Sequence, residues 1–376
     1  MIQLLPNGRR LLALRELLGL TQQDLAHALG ISQPALSKIE KAERPLSTEL
    51  IDRASRHYDL PAQFFHVPPS VLEVGIPTFR KASTARAGDE RRILRTYREA
   101  ARVWADASEA SGYHTNQIPP SLATLDVDAA AGKLRRIAGI DATVPIGNMT
   151  RLLERLGIAV IWQLTPAEDD ASAHAGISIP AANPTRPLIA LASPLPGDAA
   201  RFTLAHELAH LIWDQDTQPW TSSRSPQEKR AHDFASALLL PASMIRSRVT
   251  DTLNLNGYLP IKAEYGTSLA AIIMAAKRLQ VITAQRARSL FIQLSARGWR
   301  TSEPIHVGEE HPRLLTQALQ RITSWDSHSI ATTTAMPAAT IARWTGETIP
   351  DPEAAIISLT HWRTHRASAT PAPSLH

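Results

Sequence analysis

Cysteine is absent from all 376 residues. That excludes disulfides, thiolate metal sites and a cysteine nucleophile, and it fits a reducing compartment. No apolar run approaches the roughly 18–20 residues that a membrane-spanning helix needs. The segment from Met1 to Arg10 lacks the charged start and long apolar stretch of a secretion signal. A cytoplasmic protein with no membrane partner is therefore expected. Strong bulk charge is missing too. The net charge is +5, from 40 Lys and Arg against 35 Asp and Glu, which alone says little about nucleic acid. Internal repeats are also lacking. Hydrophobic residues make up 44% and charged residues 20%, as in an ordinary globular protein, and the length exceeds one compact core. Two or three domains are expected.

Residues 8–65 read as a string of short helices. Leu11, Leu12, Leu14, Leu17 and Leu18 give the first, from Arg9 to Leu18, an apolar face, and Gly19 ends it. Thr21 caps a helix from Gln22 to Leu29, with Asp24 three residues on. Gly30 stops it. Ser32 then caps Gln33 to Ala42, with Pro34 in the first turn. A fourth helix runs from about Ser47 to Tyr58. Small Ala26, the bend at Gly30, and Leu25, Ile31, Leu36 and Ile39 beneath have the spacing of a helix-turn-helix. The second helix would enter the major groove with Gln33, Ser37 and Lys38 outward, and Gln33 could pair with adenine. Gln22, Ser32 and Arg44 could hold phosphates. The stretch resembles the XRE type of helix-turn-helix found in phage repressors. That resemblance implies binding to a double-stranded DNA operator, as a homodimer on paired half-sites. Residues 1–65 hold eight basic and seven acidic side chains, so binding would lean on specific contacts. A second basic feature lies between Arg80 and Arg102, with eight basic residues against three acidic. Its stripe Arg91, Arg95, Arg98, Arg102 reads as a solvated helix face or an auxiliary DNA contact.

The second constellation is His206-Glu207-Leu208-Ala209-His210. At helical pitch, positions i and i+4 share a face, so both imidazoles can reach one zinc ion. Glu207, one residue after the first histidine, can take a proton from water at the metal. Asp198 is a plausible N-cap for a helix from about 199 to 213. Glu228, 18 residues beyond His210, is the favoured third ligand. It could instead close a capping box with Ser225. His232, one turn on, is the alternative ligand, and His232 or Asp233 could support the site from behind. His174, near an expected strand, reads as structural.

The run Phe202-Thr203-Leu204-Ala205-His206-Glu207-Leu208-Ala209-His210-Leu211-Ile212, followed by Glu228, Ala231, Phe234, Ala235, Leu238, Leu239 and Pro241, resembles the ImmA/IrrE family of metallopeptidases. Leu240 and His232 depart from the residues frequent there, methionine and asparagine. Residues 265–299, from Tyr265-Gly266-Thr267 to Arg297-Gly298-Trp299, are similar to regulators that join an XRE domain to such a peptidase. The resemblance implies zinc, ligands His206, His210 and Glu228, and Glu207 as catalytic acid and base. It also implies a part in relieving repression by cutting a repressor.

The expected organisation follows. Residues 1–65 form an all-α DNA-binding domain. Residues 66–125 form a linker with a basic helix near 89–107; its stretch 66–88 is proline-rich and a candidate for self-cleavage. Residues 126–300 form an α+β zincin-like domain with helices at 126–138 and 146–156, strands near 158–164, 175–179 and 188–192, and helices at 199–213 and 226–240. Residues 301–376 form a helical region with an Ala/Ser/Pro-rich tail. Ser329 to Gly346 faintly suggests a second helix-turn-helix but reads better as a plain helical pair. The whole is mainly α with a small β-sheet. Three functions compete: a regulator with zinc endopeptidase activity, a repressor or antitoxin whose peptidase-like domain only senses a ligand or partner, and a metallopeptidase whose N-terminal helices dock protein instead of DNA.

Overall fold

The computed structural model describes residues 5–68, 78–81, 87–166, 174–180, 183–215 and 225–351. The expected tail at 366–376 and most of the proline-rich stretch 66–88 lie outside them.

Four helices come first: α1 (Arg9–Leu18), α2 (Gln22–Ala28), α3 (Gln33–Glu40) and α4 (Thr48–Tyr58). Side-chain caps set where they start. Thr21 accepts from the Asp24 amide and Asp24 accepts from the Thr21 amide, a complete capping box. Ser32 and Ser47 accept from the amides of Ala35 and Leu50. Gly30, at φ +63°, makes the turn between α2 and α3, a backbone region costly for other residues. Leu11, Leu14, Leu25, Leu36 and Ile39 fill the core beneath.

Beyond them lies a four-stranded sheet in the order β1-β3-β4-β2, made of β1 (Thr78–Lys81), β2 (Ala159–Ile161), β3 (His174–Ser178) and β4 (Leu188–Leu191). β2 runs parallel to β4, with Val160 opposite Ile189. β3 runs antiparallel to β4, with Ile177 opposite Ala190, and β1 runs antiparallel to β3. β2 and β4 are apolar without alternation because both of their faces are covered. Val160, Ile189 and Leu191 face a core shared with α6 (Val127–Ile137), α7 (Met149–Arg155), α8 (Gly197–Trp213), α9 (Pro226–Leu239) and the helices α10 (Ala242–Arg248), α11 (Leu259–Tyr265), α12 (Leu269–Arg278) and α13 (Ala284–Ala296). Ala159, Ile161, Ile177, Leu188 and Ala190 face the opposite way. Their core takes in α5 (Ala87–Ala110), α14 (Leu314–Ile322), α15 (Ser327–Thr334), α16 (Ala338–Thr345) and the four N-terminal helices.

α5 is thus more than a connector. Trp104 and Tyr97 are buried, and the Tyr97 hydroxyl donates to the Leu188 carbonyl (2.7 Å) and accepts from the Ile179 amide (3.1 Å). Two of the four arginines of the basic stripe are not free to face DNA either. Arg95 is buried against Glu16 (2.7 Å), and Arg102 bonds Glu99 (3.2 Å) and the Thr334 carbonyl (2.8 Å). These two tie α5 to other helices, while Arg91 is exposed. Arg10 and Glu99, both buried, form a two-pronged pair at 2.6 and 3.0 Å that fastens α1 to α5. Residues 329–346 form the helical pair α15 and α16, whose Trp344 indole donates to the Leu164 carbonyl at the end of the sheet (3.0 Å). Among the described residues no helix is long and apolar enough to cross a membrane.

Candidate metal centre and nucleic-acid interface

α8 is buried nearly all round, which is why its sequence is apolar on every face. Its start differs from expectation. Pro196 occupies the cap position, while Asp198 sits in the first turn, accepts from the Ala199 amide and pairs with buried Lys262. Arg201, one turn later, pairs with Glu310 and bonds the Ile146 carbonyl, pinning the helix from beneath.

His206 and His210 share one face of α8, with Nε2 atoms 3.2 Å apart. α9 packs against α8 and delivers Glu228 to both, its carboxylate oxygens 3.2 Å from His206 Nε2 and 3.4 Å from His210 Nε2. These are the three donors His206, His210 and Glu228, all within 4.8 Å of one another and all buried. Two imidazole nitrogens and a carboxylate brought together in a buried place form a donor set suited to a cation. Ser225 does cap α9, its Oγ accepting from the Glu228 amide (3.2 Å), but Glu228 does not close a capping box, because its carboxylate faces the histidines instead.

Electrostatics follow from this crowding. Burial alone would raise the Glu228 pKa, but the hydrogen bonds from His206 and His210 hold it well below the usual carboxylate range. Burial would lower the His210 pKa, but its bonds to Asp214 and then Glu228 push it up to about 9.

Sequence reasoning missed Asp214. Its Oδ2 lies 2.8 Å from His210 Nδ1, one turn along α8, and Arg230 pairs with its other oxygen. The signal was an aspartate four residues after a histidine. A carboxylate on Nδ1 fixes the imidazole so that Nε2 faces the cluster. The positions considered for this supporting place go elsewhere: His232 packs on Phe202, with ring centroids 4.8 Å apart, and Asp233 pairs with Lys229 (3.2 Å). Also missed were Ser178 and Gly176. Glu207 is fully buried on the side of α8 toward β3, where Ser178 Oγ donates to its Oε2 (2.7 Å). A methyl group on Gly176 would fall 2.5 Å from Thr203 Cγ2 and 3.1 Å from Glu207 Oε1. No spacing rule connects residues 176 and 178 to 207; only the sheet does.

At the other end of the chain, Ser32, Gln33, Lys38 and Arg44 are exposed and Ser37 is half-buried. Gln22 is held from both sides. Its Nε2 donates to Glu40 (2.7 Å), and its Oε1 accepts from Gln33 Nε2 (3.2 Å). Gln22 and Gln33 are therefore positioned as a linked pair at the start of α3.

Comparison with family models agrees with both halves. A helix-turn-helix model matches residues 11–65, and an IrrE N-terminal-like domain model matches residues 153–277. Comparison with curated proteins finds no match.

Proposed function

Because the chain joins an XRE-type helix-turn-helix domain to an ImmA/IrrE-type peptidase-family domain, we propose that it is a transcriptional regulator carrying a zinc metallo-endopeptidase site. The observation that carries this reading is the buried His206, His210 and Glu228 cluster with Glu207 beside it. The three would hold zinc, with Asp214 fixing His210. Bound there, zinc supplies Lewis acidity that polarises a peptide carbonyl and acidifies water. Glu207, held by Ser178, takes a proton from the attacking water as the new C–O bond forms. It returns that proton to the leaving amine as the C–N bond breaks. The substrate is a repressor protein or the chain's own stretch at 66–88. In this reading residues 1–65 bind an operator as a homodimer in the cytoplasm, with Gln22, Ser32, Gln33, Ser37, Lys38 and Arg44 as contacts, and residues 126–300 carry the chemistry.

The test starts with metal content. About one zinc per chain, lost in His206→Ala and in Glu228→Ala, is expected. Cleavage of a candidate repressor should vanish in Glu207→Gln while zinc stays. Wild-type protein purified without zinc and unable to take it up overturns the reading.

A second reading is a repressor or antitoxin whose peptidase-like domain only senses a ligand or partner. The near-total burial of the two histidines and of Glu207 favours it: His206 and His210 are each 1% exposed and Glu207 0%. Zinc bound with no turnover, and regulation unaltered by Glu207→Gln, would decide for it.

A further inference from the structure

β3 has β4 on one side and β1 on the other, and β1 is only four residues long. Its register shifts between Phe79 and Lys81, so the pairing is irregular as well as short. Yet it lies at a particular place. Thr78 stands opposite Ser178, the residue whose hydroxyl holds Glu207. Phe79 stands opposite Ile177, next to Gly176, where Glu207 and Thr203 pack against the β3 backbone. The backbone of β1 therefore runs along the stretch of β3 against which the candidate base of α8 is held.

A free sheet edge is a template for another chain, and proteins bind extended peptides by adding them there as a strand. Main-chain hydrogen bonds give such an edge affinity for peptides of many sequences, which suits an endopeptidase acting on a protein. Here the edge is already taken by the chain's own residues.

We propose that the outer edge of β3 is the site where an extended polypeptide binds, antiparallel to β3, and that residues 78–81 occupy it as an internal competitor. This rests on the reading of the neighbouring cluster as a peptidase site. A substrate must displace β1 before its backbone can lie beside Glu207. The expected strength of the competition follows from tethering. A short tether gives a segment an effective concentration of roughly millimolar, so it weakens a peptide of ~10–100 μM affinity about 10- to 100-fold.

The probe is a fluorescent peptide with the sequence of residues 76–83, read by anisotropy on full-length protein carrying Glu207→Gln to prevent turnover. Thr78→Pro with Phe79→Pro removes two successive amides, one of which must face β3 because strand amides alternate. That variant should bind the peptide at least tenfold more tightly. The absence of native cysteine offers an opposite test that keeps β1 in place. Phe79→Cys with Ile177→Cys, on paired positions, creates the one disulfide the chain can form. Its oxidised form should bind the peptide at least tenfold more weakly than its reduced form. Binding that is the same within twofold in the proline variant and in both redox states overturns the proposal. Zinc content and cleavage by the Glu207 form, measured on matching preparations, judge the peptidase reading separately. A zinc-loaded, cleaving protein with indifferent peptide binding overturns only the occupied edge. Competition as expected in a protein that never takes zinc supports the edge and overturns the peptidase.

Discussion

Replacing Glu99 by Gln should loosen the whole N-terminal half. Glu99 is 2% exposed and Arg10 5%, and the guanidinium meets both carboxylate oxygens, donates to the Phe64 carbonyl (2.9 Å) and lies over the Phe64 ring. Glu99→Gln leaves Arg10 charged in a place it cannot easily leave. Breaking a buried pair by removing one partner costs about 3–5 kcal/mol. Arg10→Met should cost less, because Glu99 keeps Arg102 at 3.2 Å. The double variant should cost at least ~2 kcal/mol less than the sum of the two. Urea titrations of the four proteins measure this. Acid supplies a second check. Burial would raise the Glu99 pKa, but the charges of Arg10 and Arg102, the hydrogen bond from Arg10 and the charge of Arg95 lower it from 4.5 to about 2. A folded pKa below the unfolded one contributes stability that is complete above about 4.5 and fades as pH falls toward 2. The gap between wild type and Glu99→Gln should therefore be constant from pH 8 to 5 and narrow below 4.5. A gap under about 1 kcal/mol at pH 7, or one that does not narrow by pH 3, would refute the role assigned to this pair.

Three further outcomes follow from single contacts. Gly176→Ala puts a methyl 2.5 Å from Thr203 Cγ2 and 3.1 Å from Glu207 Oε1, so it should cost about 1–3 kcal/mol and cut peptide cleavage about 100-fold. Adding Thr203→Ser removes the closer atom and should recover stability more than cleavage; full recovery of both would mean Glu207 was never displaced. Asp214→Asn should weaken zinc binding about 10- to 100-fold in a chelator competition, while unchanged affinity would leave Asp214 as a helix-end contact only. Lys38→Ala should lower the salt slope of operator binding by about one, whereas Gln33→Ala should relax base preference at one position; equal effects on specific and random DNA from both would place neither on a base.

Much of this was legible because it is local. Caps, the glycine at 30 and the His-x-x-x-His spacing depend on residues within one or two turns of each other, and the structure places them as their chemistry requires. What was not legible depends on pairing across the chain. β1 has no alternating pattern to mark it, and its pairing partner β3 lies far along the chain. The basic stripe on α5 has the composition of a solvated face, yet its partners Glu16 and Thr334 are 79 and 232 residues away. Asp198 has the right chemistry for a cap, but Lys262 draws it into an ion pair. In each case a local preference was outbid by a distant partner.

Those distant partners have a consequence for regulation. The DNA-reading helices are joined to the sheet through α5 by buried contacts at both ends: Arg10 to Glu99 on one side, Tyr97 to Leu188 and Ile179 on the other. Ile179 directly follows Ser178, which holds Glu207. A shift of β3 large enough to move Glu207 would disturb the Tyr97 hydroxyl, whose two bonds lie in a buried setting where an unmade bond costs about 1–3 kcal/mol. Tyr97→Phe removes both bonds while keeping the ring in the core. If the sheet and the DNA reader are energetically linked, peptide binding should alter operator affinity in the wild type and should alter it less in Tyr97→Phe. The linkage must be reciprocal, so operator DNA should change peptide affinity by the same factor. A wild-type protein whose operator affinity ignores peptide, at concentrations that fill the β3 edge, would show that the shared core is a scaffold without coupling.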